Sequence, residues 1–293
     1  MLAIEDLVME IGRGARAERV LRGVSLSVEP GEVVGLVGES GAGKSMIGRV
    51  VLGVAPANAH VVAGRVRFFA DDLLGISERR RRTLLGRDIA LIPQDPMSSL
   101  NPVLRIERQL TDVMRLHLAL GRQAARARAL ALLEAVHIAA PARVLRQYPH
   151  ELSGGMRQRV LIAIAFACEP KLIVADEPTT ALDVTVQRQV LRLMRDMQRR
   201  TGAGVLFITH DLGVVAKLCD RVSVLHAGRV VEAGTVAAVI DRPQHPYTRA
   251  LLAATPRYDR PADALVPVPA ELTRRLWAEA RALDRQPGRR SAP

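Results

Sequence analysis

The chain has 293 residues, of which 48% are apolar and 25% are charged. This apolar share can form a sizeable core, so the composition excludes a wholly disordered chain. The 42 basic and 30 acidic residues give a net charge of +12, which permits attraction to nucleic acid, anionic lipid or a phosphorylated ligand without choosing among them. Aromatic residues make up only 3%, which argues against stacking of single-stranded nucleic acid on exposed rings.

No segment of the sequence is predicted to cross a membrane. The longest unbroken apolar run, Val160–Cys168, is far shorter than the ~20 residues that a membrane helix needs. Acidic Glu5 and Glu10 lie where a secretory signal would have a basic region and an apolar stretch. Cys168 and Cys219 are too few for a disulfide framework or a four-thiolate metal site, and we expect both to be buried. The expectation is a soluble chain of the cytoplasmic type.

Short apolar runs alternate with helical stretches along the chain, as in an α/β protein with a largely parallel sheet. The pattern predicts strands at Glu32–Val37, Leu172–Ala175 and Val205–Thr209, and a helix at Lys44–Leu52. The stretch Gln109–Gln147 is rich in Ala, Leu and Arg at helical spacing, which indicates a helical insertion in the α/β core.

The C-terminal stretch is rich in Pro and Arg, and it predicts an appendage with one amphipathic helix, Glu271–Leu283, and a loose tail. The basic run Arg79–Arg82 could indicate a nucleic-acid or lipid surface, but so short a run is more often the solvated face of a helix. Arg122, Arg126 and Arg128 have the same interpretation in the helical insertion.

A phosphate-binding loop is predicted between the first of these strands and its helix. Residues Gly38–Ser45 read Gly-Glu-Ser-Gly-Ala-Gly-Lys-Ser and match the phosphate-loop pattern in its required context. In such a loop, glycines let backbone N–H groups turn toward phosphates, and the helix N-terminus adds its positive dipole end. The Lys can reach the β- and γ-phosphates, and the Ser hydroxyl can ligate Mg²⁺. The candidate nucleotide-binding residues are Gly38, Ser40, Gly41, Ala42, Gly43, Lys44 and Ser45.

Two acidic residues, Asp176 and Glu177, end the apolar strand that begins at Leu172. Carboxylates at the end of a buried strand cost free energy unless a cation or a partner compensates them. Either acid alone could form a salt bridge at the sheet edge. Together with the phosphate loop, Asp176 is predicted to hold Mg²⁺ and Glu177 to orient and polarise an attacking water.

Further motifs accompany the loop and the acid pair. Leu152–Gln158, Leu-Ser-Gly-Gly-Met-Arg-Gln, lies about twenty residues before the acids and resembles the signature motif of the ABC (ATP-binding cassette) ATPases. The resemblance extends from about Leu2 to Pro256. It implies that Gln94 is the Q-loop glutamine, with a catalytic role and a role at the metal, and that His210 is the catalytic switch histidine.

The resemblance also implies how the nucleotide site is completed. Ser153, Gly154 and Gly155 of the signature would contact the γ-phosphate held by an opposite subunit, so that two cassettes enclose two ATP molecules head to tail. Asp183, the last residue of the D-loop Ala181–Asp183, would also contact nucleotide. Family members usually stack the adenine on an aromatic side chain before the phosphate loop, but Ile11 occupies that position here.

The implied fold is an α/β P-loop NTPase (RecA-like) core with a mostly parallel sheet, an N-terminal antiparallel β portion and an inserted α-helical ABC subdomain. The implied boundaries are an ABC ATPase domain at 1–255, made of a core at 1–93 and 160–240 and a helical subdomain at about 94–159, and an appendage at 256–293. Many longer family members carry four cysteines in the appendage that resemble an iron–sulfur site. No cysteine follows Cys219, so no such cluster is expected.

Four stretches resemble the ATPase subunits of dipeptide, oligopeptide and nickel importers: Gln94–Pro102, Tyr148–Arg159, Asp176–Gln187 and His245–Leu252. The implied ligands are ATP and Mg²⁺. The implied partners are a second, related but non-identical ABC ATPase subunit, two membrane permease subunits and a solute-binding protein, with no nucleic acid. A permease would dock on the helical segment after Gln94, which places the chain peripherally at the cytoplasmic face of the inner membrane.

A non-transport ABC ATPase, acting in DNA repair or translation, is the alternative. Relatives in DNA repair carry long coiled coils or zinc-bearing insertions, and relatives in translation carry two cassettes in one chain. This sequence has one cassette and neither kind of insertion, which favours transport. The transported solute remains open among dipeptides, longer peptides, nickel chelates and glutathione-like peptides.

Overall fold

The computed structural model describes residues 1–14, 17–180, 182–255 and 267–284. Ala181 of the predicted D-loop and residues 256–266 and 285–293 of the predicted appendage lie outside the described residues. The chain divides into two compact bodies. The first comprises Met1–Ile76 and the described residues from Leu206 onward, and the second comprises Ser77–Val205.

The strands and helices are mixed along the chain, with a run of helices in the second body. The first stretch contains β1 (Leu2–Ile11), β2 (Glu18–Val28), β3 (Val33–Val37), α1 (Lys44–Leu52), β4 (Ala59–Phe68) and β5 (Asp71–Asp72). The second body contains α2 (Glu78–Leu84), β6 (Ile89–Ile92), α3 (Pro96–Ser99), α4 (Ile106–Leu118), α5 (Arg122–Ala135), α6 (Pro141–Val144), α7 (Gly154–Phe166), β7 (Leu172–Asp176) and α8 (Val184–Thr201). The last stretch contains β8 (Gly204–Thr209), which crosses the division, α9 (Leu212–Leu218), β9 (Arg221–His226), β10 (Arg229–Thr235), α10 (Val236–Asp241), α11 (Pro246–Ala254) and α12 (Ala270–Asp284).

The N-terminal strands form an antiparallel sheet in the order β2-β1-β4-β5, as the resemblance implied. Its buried side chains change phase within β1: Leu2, Ile4, Leu7 and Met9. The change occurs at a pairing irregularity where Asp6 has a φ of 46°. Opposite it, Gly64 has a φ of 96°, and a Cβ there would lie 2.6 Å from the Asp6 carbonyl oxygen. A glycine is therefore required across from this bulge.

The first body also contains a mixed sheet portion in the order β10-β9-β3. β3 is parallel to β9, and all five of its residues are buried, as expected for a strand covered on both faces. The predicted strand began one residue earlier, at Glu32. That carboxylate instead lies 3.2 Å from the Arg221 guanidinium, at the start of the neighbouring β9.

In the second body, β6 and β7 are parallel, with Ile92 opposite Ala175. Their carboxyl ends therefore lie at the same edge, where both the Q-loop residue and the acid pair follow. The predicted helical stretch is confirmed, since it contains most of α4, all of α5 and α6, and both long helices pack against α7. α7 continues through the predicted boundary at residue 159, and the division into core and helical subdomain remains a prediction.

The arginine predictions are confirmed only in part. On α2, Arg79, Arg80 and Arg82 are exposed, as a solvated helix face requires. Arg122 is also exposed, but Arg128 donates hydrogen bonds to the Ala167 carbonyl at 3.0 Å and to the Glu169 carboxylate at 2.8 Å. Arg128 therefore ties α5 to the end of α7, and the prediction that it belongs to the solvated face of the helix is wrong.

Two further predictions concern burial and membrane contact. Cys168 and Cys219 are both buried, as expected from their apolar surroundings. Among the described residues, none of the helices combines the length and the apolar character needed to span a membrane.

Candidate functional site

The loop between β3 and α1, in the first body, forms a cradle that side chains would fill. A Cβ on Gly38 would lie 2.1 Å from the carbonyl oxygen of Leu225. Gly43, the residue before α1, has a φ of 102°, and a Cβ there would lie 3.0 Å from Leu21 Cδ2. The loop can approach the strands beneath it this closely only with glycine at these positions.

Lys44 begins α1 and turns its side chain back over this loop. Its side chain is 5% exposed, and Nζ donates hydrogen bonds to the carbonyl oxygens of Gly38 at 2.8 Å and Glu39 at 3.0 Å. Ser45 follows on the first turn of the helix. A held ammonium beside a helix N-terminus favours an anion, so the arrangement fits nucleotide phosphates.

The remaining residues of the loop differ in exposure. Ser40 and Gly41 are exposed at its tip, whereas Ala42 is buried. The Ala42 carbonyl accepts a hydrogen bond from the Gly228 N–H at 3.0 Å, which ties the loop to the turn between β9 and β10. His210, also in the first body, is exposed and directly follows β8. The next residue, Asp211, caps α9 by accepting the Gly213 N–H at 2.7 Å.

The second body brings Gln94 and Glu177 together. Gln94 follows β6 by two residues, and its Nε2 lies 3.3 Å from Glu177 Oε2. Asp176 is the last residue of β7 and is partly exposed. The two parallel strands thus present an amide and two carboxylates at one edge, which is the chemistry needed to bind a cation and orient a water.

Glu177 has a φ of 46°, in the left-handed region that non-glycine residues rarely adopt. The Thr180 hydroxyl lies 3.0 Å from Glu177 Oε2 and helps hold the carboxylate in place. The sequence interpretation missed this contact. A hydroxyl three residues after an acid in Asp-Glu-Pro-Thr-Thr is a local signal from which it could have been found.

The signature residues lie at the start of α7, in the second body. Ser153 is the N-cap, and its hydroxyl accepts the Met156 N–H at 3.3 Å. A Cβ on Gly155 would lie 3.1 Å from Val186 Cγ1 on α8, whereas one on Gly154 meets nothing within 4 Å. Asp183 caps α8 through hydrogen bonds from the N–H groups of Thr185 and Val186, at 3.0 and 2.9 Å.

Family models match most of the chain. The model described as "ABC transporter" matches residues 21–180, and the model described as "Oligopeptide/dipeptide transporter, C-terminal region" matches residues 231–278.

Individual proteins show the same likeness. The chain is 49% identical to the "Probable D,D-dipeptide transport ATP-binding protein DdpD" of Escherichia coli (strain K12), over 85% of this chain and 76% of that protein. It is 42% identical to the oligopeptide transport ATP-binding protein OppD of Bacillus subtilis (strain 168), over 97% of this chain and 80% of that protein. A solved dimeric ATP-binding cassette in a post-hydrolysis state, bound to ADP and Pi, superposes with a TM-score of 0.71 at 25% identity, over 80% of this chain and 99% of that chain.

The fold, with its mostly parallel sheet and phosphate loop, and these likenesses define an ATP-binding cassette that hydrolyses ATP. The predicted fold class is thereby confirmed. The chain belongs to the ABC transporter family.

Proposed function

We propose that this chain is the ATP-hydrolysing subunit of an importer that carries dipeptides or oligopeptides across the bacterial inner membrane. One observation carries the proposal: the cassette and the oligopeptide/dipeptide transporter C-terminal region occur in the same chain. The relatives described above are transport proteins by name, which favours this function over DNA repair or translation.

The proposed catalytic residues are Glu177, Gln94 and His210. Glu177 polarises the attacking water, Gln94 holds the Glu177 carboxylate and senses the nucleotide, and His210 contacts the γ-phosphate. Support comes from the Gln94–Glu177 contact of 3.3 Å. The residues proposed to hold the phosphates are Gly38, Ser40, Gly41, Ala42, Gly43, Lys44 and Ser45, and those proposed to act on the nucleotide of a partner cassette are Ser153, Gly154, Gly155 and Asp183.

The nucleotide is proposed to bind with Mg²⁺ held by Ser45, Gln94 and Asp176. Within the described residues, no group of three or more His, Cys, Asp or Glu side chains could hold a metal ion. Mg²⁺ is usually bound through one or two carboxylates together with substrate phosphate oxygens and waters, and Asp176 would supply such a carboxylate. The metal would neutralise charge on the β- and γ-phosphates during hydrolysis.

The proposed partners are a related, non-identical ABC ATPase subunit, two permease subunits and a solute-binding protein. A permease contact would place the chain peripherally at the cytoplasmic face of the inner membrane. Large apolar side chains exposed on the second body are the groups that we propose for this contact, since a permease surface would bury them. They include Met97 at 60%, Val103 at 75% and Leu116 at 77% exposure.

The proposal can be tested by deleting the gene and measuring uptake of a labelled dipeptide and a labelled oligopeptide. We expect uptake of at least one to be lost, restored by the wild-type chain, and not restored by Lys44→Ala. Unchanged uptake of both peptides would contradict the proposal. A loss confined to nickel uptake would instead assign the chain to a nickel importer.

A further inference from the structure

Tyr247, the second residue of α11, reaches the phosphate loop from the C-terminal region. Its side chain is 0% exposed. Its hydroxyl oxygen accepts a hydrogen bond from the Glu39 backbone N–H at 3.2 Å, and the hydroxyl donates to Glu39 Oε2 at 3.2 Å. Both contacts go to one residue of the loop Gly38–Ser45, from a position 208 residues further along the chain.

The first contact fixes the amide that joins Gly38 to Glu39. In a trans peptide the N–H and the C=O point in opposite directions, and the described residues contain no cis peptide bond. On one side, the N–H of this amide is held by Tyr247. On the other side, its Gly38 carbonyl accepts a hydrogen bond from Lys44 Nζ at 2.8 Å. A rotation of the amide would break both hydrogen bonds, so the hydroxyl controls the carbonyl that positions the lysine.

The start of α11 is built to hold Tyr247 in this place. His245 caps the helix, because its Nδ1 accepts the Tyr247 N–H at 3.2 Å. The Glu232 carboxylate accepts the N–H groups of Gln244 at 2.7 Å and His245 at 3.0 Å. Pro246 fixes the backbone at the first helical position. The hydroxyl is therefore positioned independently of any ligand in the loop.

The tyrosine ring packs against a second aromatic ring, which in turn lies beside a third. The His226 ring lies 4.3 Å from the Tyr247 ring, and the Trp277 ring of α12 lies 6.1 Å from His226, measured between centroids. Burial, and the nearby charge of Glu39, raise the pKa of Tyr247 well above its ordinary value. The phenol therefore keeps its proton and remains a donor to Glu39 at any physiological pH.

We infer that Tyr247 is a positioning residue for ATP binding. Its hydroxyl orients the Gly38–Glu39 amide, and through that amide Lys44, before the nucleotide binds. The inference rests on the proposed function of the loop Gly38–Ser45 as the phosphate site. It gives the C-terminal region, matched at residues 231–278, a role inside the nucleotide site. Preorganisation of this kind raises affinity because the ordering cost is met before binding.

The test is Tyr247→Phe in the full chain, which keeps the ring and removes both hydrogen bonds. Binding of MgATP and of magnesium pyrophosphate is measured by calorimetry, because pyrophosphate has no base and reports on the phosphate loop alone. Both affinities should fall by about three- to tenfold, by the same factor. Affinities within about twofold of the wild type, or a loss for MgATP alone, would overturn the inference.

Two variants control for a merely structural effect. Thr255→Val removes a hydroxyl from the end of the same helix, where it donates to the Leu251 carbonyl at 2.8 Å, and should leave both affinities unchanged. Glu39→Ala removes the carboxylate but keeps the N–H that Tyr247 holds, so its loss should be smaller than that of Tyr247→Phe. A larger loss for Glu39→Ala would show that the carboxylate, and not the hydroxyl, positions the loop.

Lys44→Ala separates this inference from the proposed function. If Lys44→Ala binds MgATP as the wild type does, the loop is not the phosphate site and both proposals fail. If Lys44→Ala loses binding while Tyr247→Phe retains it, only the positioning role of Tyr247 is contradicted.

Discussion

After the carboxyl ends of β6 and β7, individual side chains hold the proposed catalytic carboxylate in a constrained position. Glu177 has a φ of 46° and is held through Oε2 by the side chains of Gln94 and Thr180. Holding a non-glycine residue in this backbone conformation costs roughly 1–3 kcal/mol, and contacts in the surrounding structure must offset this cost. Such local strain is common where a side chain must be presented at a defined angle to a reacting group.

Ile11 gives a second prediction, because the resemblance predicts that it occupies the position of the usual adenine-stacking aromatic. It ends β1, is partly exposed, and is paired with Glu18 and Ala59. An aliphatic side chain gives no π face, so the isolated chain should distinguish ATP from GTP by less than about tenfold. Ile11→Tyr should tighten ATP binding several-fold. A strong ATP preference in calorimetric titrations, or no gain in the tyrosine variant, would contradict this.

Residues were predictable where the chemistry is local. The loop Gly38–Ser45 and the pair Asp176 and Glu177 each combine a short motif with its flanking elements, so their places next to β3 and β7 could be derived from sequence. The Tyr247–Glu39 contact could not, because it joins distant positions and depends on how α11 lies against the loop. The positive φ of Glu177 has no compositional signal either.

Among the elements, α12 shows how the C-terminal segment attaches to the first body. Asp284 accepts hydrogen bonds from Arg22 at 3.0 Å and from Arg19 at 3.2 Å, both on β2. The Arg22 side chain is only 6% exposed and also lies over the Trp277 ring, 5.5 Å from its centroid. The sequence predicted the helix within one residue at each end, but its amphipathic pattern does not identify the strand that it covers.

Asp284→Asn should loosen this attachment. The buried Arg22 would lose its ionic partner, and hydrogen bonds to charged groups contribute about 1.5–3 kcal/mol. Amide hydrogen exchange in α12 should therefore accelerate, while exchange in β1 and β4 changes little. The matched control is Glu279→Gln, which breaks an exposed ion pair with Arg275 on the same helix and should cost less than about 1 kcal/mol. Equal effects of the two variants would show that Asp284 does not anchor the helix.

The molecule as a whole is proposed to work as one of two cassettes. The similar solved structure is dimeric and holds ADP and Pi, and the head-to-tail arrangement of two cassettes stays a prediction for this chain. In this chain Ser153 and Gly154 are exposed at the N-terminus of α7, where a phosphate from another subunit would be favoured by the helix dipole. The sequence predicted this turn but not the close approach of Gly155 to Val186. A substitution at Gly155 would therefore disturb packing within the chain as well as any contact with a partner.

Gly154→Asp therefore tests the partner contact more cleanly than a change at Gly155. Among the described residues, a Cβ at Gly154 would meet nothing within 4 Å, and an acid in the first turn of a helix is tolerated or favourable. In a dimer it would place a negative charge beside the γ-phosphate. Turnover by the assembled transporter should collapse, while the isolated chain should bind MgATP normally. An equal loss of binding by the isolated chain would show that Gly154 acts within its own subunit.

Phosphate release by the assembled transporter carrying Glu177→Gln measures whether ATP is hydrolysed at this acid. The amide keeps the size of the side chain and its contacts with Gln94 and Thr180 can persist, but it cannot polarise a water as a carboxylate does. We expect near-normal MgATP binding, a loss of at least about a hundredfold in turnover, and accumulation of a closed, ATP-bound dimer. Near-normal phosphate release would contradict it.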